Sequence, residues 1–129
     1  MMVVDTSALV AILTGEPDRR AFNEKIAAAG RGSISAATYV ETHIVIETRY
    51  GDDGTRELTL FLHESGITVV PVDRDQADMA RLAYKKYGRG KHPAALNFGD
   101  CFSYALAKRL GVPLLYKGDD FTKTDLLAA

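Results

Sequence analysis

The sequence predicts an α/β fold: a three-layer α/β/α sandwich around a central parallel sheet of four or five strands. Two observations carry this. Short apolar or β-branched runs alternate with longer segments of helical periodicity, most of them closed by a glycine. Strands separated by helices cannot pair as hairpins, so they pair in parallel and need helices on both faces. At 129 residues the chain has the length of one domain, taken as residues 1–129.

The elements follow in order. Met2–Val4 is an apolar run suited to a buried strand and ends at Asp5. Thr6 to Leu13 is a helix with Asp5 or Thr6 as N-cap, stopped at Gly15. Pro17 favours the first turn of a second helix, whose Phe22, Ile26 and Ala29 share one face. Ser33–Ser35 is a brief second strand, Ala36–Tyr50 a helix closed by Gly51, and Thr55–Ser65 another closed by Gly66. Ile67–Val72 is β-branched and apolar, the best strand in the chain. Asp73 or Asp75 caps a helix to Tyr87, and Gly88–Asn97 is a glycine-rich basic loop. Asp100 opens a helix to Leu110, and Pro113–Tyr116 is the last strand, before Gly118-Asp119-Asp120.

Composition sets bounds on function. Hydrophobic residues make up 47% and charged residues 26%, the balance of a globular domain. The apolar run Ala8–Leu13 is far below the roughly 18 residues of a membrane span, and no signal-peptide pattern opens the chain. A cytoplasmic protein without a membrane partner is expected. The single cysteine, Cys101, excludes an internal disulfide and a cysteine-based zinc site, and reads as a small buried hydrophobe. His43, His63 and His92 lack metal-ligand spacing, and no phosphate-binding glycine loop with Lys-Ser/Thr is present. Net charge is −1, yet Met79–Gly99 holds five cations (Arg81, Lys85, Lys86, Arg89 and Lys91) and no acid, leaving the rest of the chain at −6.

A set of acids stands apart. Asp5 and the Asp119–Asp120 pair directly follow strands, where open parallel sheets place their sites. Asp100 stands at a helix start, and Glu41 lies in or beside the apolar stripe of Ala37, Val40, Ile44 and Val45. Carboxylates converging on one edge would repel one another and raise their own pKa values. A divalent cation resolves that conflict, and oxygen-only ligands favour Mg²⁺, with Mn²⁺ as the alternative. Taken singly, the aspartates are also ordinary caps and turn residues, and Glu41 has a route to solvent at the edge of its stripe.

The order of these residues resembles the PIN-domain ribonucleases, in particular the VapC-type toxins of bacterial toxin–antitoxin pairs. The resemblance rests on Val3-Val4-Asp5-Thr6-Ser7-Ala8-Leu9, Tyr39-Val40-Glu41-Thr42, Asn97-Phe98-Gly99-Asp100-Cys101-Phe102 and Leu114-Leu115-Tyr116-Lys117-Gly118-Asp119-Asp120-Phe121, in order along the whole chain. It implies a metal-dependent endoribonuclease that blocks growth by cleaving cellular RNA, a VapB-type antitoxin as partner, and a homodimer. It makes Asp5, Glu41 and Asp100 the acidic triad. Asp120 before Phe121 matches the fourth acid; Gly118 departs from the pattern, and Asp119 is a substitute for the missing residue. Ser7 matches a small polar residue that orients a ligand or water. Lys85, Lys86, Arg89 and Lys91 are the candidate RNA contacts, while Tyr84 and Tyr87, at i and i+3, are expected to pack inward.

Two other readings fit the same residues. One is a phosphatase of the haloacid-dehalogenase type with Asp5 as nucleophile, although Ser7 stands where its general acid is required. The other is a non-enzymatic α/β interaction module whose acids are caps.

Overall fold

The computed structural model describes residues 1–129. Four strands, β1 (Met2–Val4), β2 (Gly32–Ser35), β3 (Ile67–Val70) and β4 (Leu114–Leu115), form a parallel sheet in the order β3-β2-β1-β4. Five helices surround it: α1 (Thr6–Leu13), α2 (Arg19–Ala29), α3 (Ala36–Glu64), α4 (Arg74–Tyr87) and α5 (Phe98–Leu110).

The period-two alternation of strand side chains builds two cores. Met2, Val4 and Leu115 point to one face, where they meet Leu9 and Ile12 of α1, Phe22 and Ile26 of α2, and Ile46, Leu58 and Leu62 of α3. Val3 and Leu114 point to the other, against Ala80, Ala83 and Tyr87 of α4 and Ala105 and Leu106 of α5. Three layers result, as expected.

The two helices expected either side of Gly51 are both present, abutting within α3, and the break between them is Gly51, whose φ of 64° and ψ of −153° are non-helical and available cheaply only to glycine. Several expectations need correction. Strand β3 is shorter than Ile67–Val72 because Pro71 cannot extend the ladder, and it lies at the sheet edge, with Thr68 and Val69 exposed. The second helix starts at Arg19 rather than Pro17. Asp100 does not open α5: Asn97 is the N-cap, accepting from the Asp100 N–H at 2.8 Å, while Asp100 accepts from the Asn97 N–H at 3.0 Å. This is a reciprocal capping box. The four strands meet the expected four or five, and a further parallel bridge joins Leu114 and Ala128. Tyr87 packs inward but Tyr84 is 39% exposed, because α5 covers only one side of α4.

Strand order fixes where chemistry can occur. From β1 the chain moves outward to β2 and β3, then returns across β1 to β4. The reversal lies between β1 and β4, and the crevice beyond their carboxyl ends is the switch point at which such sheets bind ligands. Asp5 leaves β1 there, and the segment carrying Asp120 leaves β4 beside it.

Candidate active site

Asp5 ends β1 and caps α1, so its backbone position follows from local structure alone: its side chain accepts from the Ser7 N–H at 3.0 Å. It is also 3% exposed, which a surface cap need not be. The burial of a carboxylate demands hydrogen bonds, and three donors supply them. Ser7 Oγ donates to Oδ2 at 2.7 Å in addition to its amide, and Ser103 Oγ of α5 donates to Oδ1 at 2.6 Å. Thr38 Oγ1 of α3 lies 3.2 Å from Ser103 Oγ. Because the single Ser103 proton is committed to Asp5, Thr38 is the donor in that pair.

Glu41 is held similarly. Thr6 Oγ1 donates to its Oε1 at 2.6 Å, and Thr42 Oγ1 donates to Thr6 Oγ1 at 3.2 Å. The carboxylate lies over Gly99, where any Cβ would overlap it. Gly99 is therefore required by close approach, and it brings α3 against the first turn of α5. The overlapping group is the mobile end of a side chain, so Gly99→Ala is expected to fold and to swing Glu41 aside. Cleavage activity should fall on the order of 10²-fold, the usual cost of displacing a reacting group by about 1 Å. A circular dichroism spectrum matching the parent, together with a turnover assay, checks this.

Asp100 reports on the whole cluster. Burial, followed by the charges of Asp5, Asp120 and Glu41, pushes its carboxyl up to about 7, against the lowering effect of the Asn97 N–H. Three of the other predicted acids thus act on Asp100, from the cap of α1, from α3 and from the 3₁₀ turn Asp120–Lys123. Asp119 is not among the charges raising Asp100; it precedes that turn, and its carbonyl accepts from Thr122. Ser7 does more than orient Asp5, because its Oγ also accepts from the Lys117 N–H at 3.0 Å. That bond ties the segment after β4 to α1, and a Lys117 ion pair with Glu16 at 2.5 Å reinforces it.

The donor set is all oxygen and suits a hard divalent ion. No three of the acids already stand in coordinating geometry. Hydroxyl tethers fix Asp5 and Glu41 where they stand, and a bound cation would relieve the negative charge that Asp100 meets there. Cys101 does not compete as a nucleophile: it is buried, and its thiol is pushed up to about 11 by burial and by Asp100.

The hydroxyls of Thr6, Thr38, Thr42 and Ser103 escaped the sequence reading. Their only signal is spacing, with Ser103 one turn after Asp100, and Thr38 and Thr42 flanking Glu41 on α3. The basic residues lie outside the acidic cluster. Lys85 and Lys86 sit in the last turn of α4, with Arg89 and Lys91 in the following loop, all exposed and none paired with a carboxylate. Bonds from the Arg89 N–H to the Leu96 carbonyl and from the Leu96 N–H to the Tyr87 carbonyl close the base of that loop just before Asn97.

The PIN domain family model matches residues 2–127 of the chain. A Ribonuclease VapC of Mycolicibacterium smegmatis is 58% identical over 127 residues, covering 98% of each chain. Ribonuclease VapC30 of Mycobacterium tuberculosis is 54% identical over 125 residues, 97% of this chain and 95% of that one. Among solved structures, Mycobacterium tuberculosis VapC20, described as a Sarcin-Ricin loop cleaving toxin, superposes with a TM-score of 0.80 at 16% identity, covering 100% of this chain and 98% of the other. A chain of a toxin–antitoxin complex from Klebsiella pneumoniae gives 0.74 at 18% identity, with 100% and 97% covered.

Proposed function

The chain belongs to the PIN-domain family, and from that premise we propose that it is a divalent-metal-dependent endoribonuclease, the toxin of a toxin–antitoxin pair. The observation that carries this reading is the convergence of the acids beside the β1/β4 switch point: Ser103 of α5 bonds Asp5 at the end of β1, and the Glu41 carboxylate of α3 lies over Gly99, next to Asp100. Family membership displaces the phosphatase alternative. The hydrogen bonds holding Asp5 and Glu41 go beyond what capping requires and weigh against an inert module.

Asp5, Glu41, Asp100 and Asp120 are the residues that would hold the ion, Mg²⁺ or Mn²⁺. When bound, such an ion supplies water activation and neutralises charge on the phosphoryl oxygens. The protein's own residues do the positioning. Ser7 and Ser103 fix both oxygens of Asp5, and Thr6 fixes one oxygen of Glu41. The Asn97 N–H holds one oxygen of Asp100. None of these bonds needs to form during the reaction, so no reorganisation is required at that moment.

RNA is the substrate in this reading, and a VapB-type antitoxin and a second copy of the chain are the partners. Relatives are named ribonucleases, and one solved neighbour is a toxin–antitoxin complex. No helix of the chain is long and apolar enough to cross a membrane. The purified chain incubated with pooled tRNA and rRNA, in Mg²⁺ or EDTA, should give discrete end-mapped cuts only in Mg²⁺. Intact RNA under both conditions would refute the reading.

The cations make a second test. Neutralising Lys85, Lys86, Arg89 and Lys91 together should weaken RNA binding and flatten its salt dependence, because every cation that no longer neutralises a phosphate leaves roughly one counterion on the RNA. Turnover at saturating RNA should fall less. A salt slope equal to the parent's would mean that RNA enters by another face.

A further inference from the structure

A groove of about 570 Å³ lies between α4 and α5, reaching the N-terminal turn of α5. Ala80 and Cys101 floor it; Tyr84, Phe98 and Phe102 give it aromatic walls, and Arg81, Arg89 and Asn97 line it with polar groups. Phe98 is the most exposed large hydrophobic residue of the chain, at 78%, although it is the first residue of a packed helix. Its ring meets Phe102 edge-on at 4.9 Å and leaves a face open. An exposed aromatic of this kind costs solubility and adds nothing to either core. Phe98 is also two residues from Asp100, so a strand passing over the α5 N-terminus can reach both.

We propose that this groove is a nucleobase pocket, receiving an unpaired base of the RNA strand beside the scissile phosphate, with Phe98 as its stacking platform. The proposal rests on the ribonuclease reading and adds to it a specificity-determining residue. Charge selects the occupant. Arg89 has no carboxylate partner, and Arg81 has only a 3.7 Å contact with Asp78. The segment Met79–Gly99, which supplies most of the lining, contains no acid. A second copy presenting this same face would set cations against cations. An RNA strand instead brings phosphates to the arginines and a flat apolar ring to the aromatics, the combination by which unpaired bases are bound.

The test separates base from backbone. Binding of a short single-stranded RNA, and of the same chain with abasic riboses at its central positions, is measured by fluorescence anisotropy in EDTA, where no cleavage should occur. The parent should prefer the base-bearing strand by about tenfold or more. Phe98→Ala should lose that preference while binding the abasic strand as the parent does, and Phe98→Trp should restore it. A Phe98→Ala protein with the parent's preference overturns the pocket. So does a Phe98→Ala protein that sediments as a smaller species with its preference intact, since a second copy then covers the groove. A parent that cleaves RNA in Mg²⁺ yet shows no base preference refutes the pocket alone. A parent that neither binds nor cleaves RNA refutes the ribonuclease reading, and the pocket with it.

Discussion

Asp5→Asn is expected to abolish RNA cleavage while leaving the fold intact, with a loss on the order of 10³-fold or more in turnover. The magnitude follows from the several kcal/mol that a properly held divalent ion contributes to a charged transition state. The substitution separates the two roles Asp5 could have. Asparagine caps a helix about as well as aspartate, so a purely structural Asp5 would tolerate it. The Ser7 N–H and Oγ both converge on Oδ2, so the new amide must keep its oxygen there and turn its nitrogen toward Ser103. Ser103 Oγ can accept from that nitrogen and donate to Thr38 Oγ1, reversing the buried hydroxyl pair at the cost of the Thr38 proton's acceptor. The acidic site alone loses a charge. Asp100→Asn should be similarly inactive, and Glu41→Gln strongly reduced, since Glu41 keeps its tether to Thr6 in either form. Full activity in either aspartate variant, measured on end-labelled RNA with Mg²⁺, would falsify the assignment.

The layered fold was legible in the sequence because its elements announce themselves locally, whereas Asp5, Glu41, Asp100 and Asp120 were grouped only by their order along the chain and the family it resembles. Val3-Val4-Asp5 is an apolar strand that stops at a cap, and Asn97-Phe98-Gly99-Asp100 is a helix start. What was illegible depends on contacts between distant segments. Whether Glu41 projects from its stripe or reaches solvent is decided by Gly99, which leaves room for its carboxylate, and nothing near Glu41 in the chain carries that information. Ser103 and Thr38 look like any small residues on a buried helix face until α5 sets one of them against Asp5. Gly51 signals a helix end in the sequence, and its positive φ does break α3 there. Tyr84 and Tyr87 have equal apolar character; α5 buries one and leaves the other lining a groove.

The stability of the metal-free protein should fall as pH rises from about 4 to about 7, and Mg²⁺ should reverse that loss. Asp100 has an ordinary value of 3.8 and is pushed up to about 7 in the fold. A carboxyl raised by folding contributes stability that is fully present below its unfolded value and is lost as pH passes through the folded one. Above pH 7 the folded protein therefore carries the unrelieved charge of Asp100 among Asp5, Asp120 and Glu41. A cation that binds only the folded state adds about 2.7 kcal/mol at a hundredfold excess over its dissociation constant, and it should do so far better at pH 8 than at pH 5. Asp100→Asn removes the ionising group while its amide oxygen still accepts from the Asn97 N–H, so the capping box survives. That variant should match or exceed the metal-free parent at pH 8, show a smaller pH slope, and respond weakly to Mg²⁺. Asp100→Ala shares the lost charge but forfeits the Asn97 N–H bond, at a cost of about 1 kcal/mol. If Asp100 were only a capping residue, alanine alone would be destabilised, and neither pH nor Mg²⁺ would distinguish the parent from the asparagine variant. Thermal melts of the three proteins at pH 5 and pH 8, in EDTA and across a Mg²⁺ titration, separate these patterns. A parent whose melting temperature ignores Mg²⁺ at pH 8 would end the case for a shared cation site.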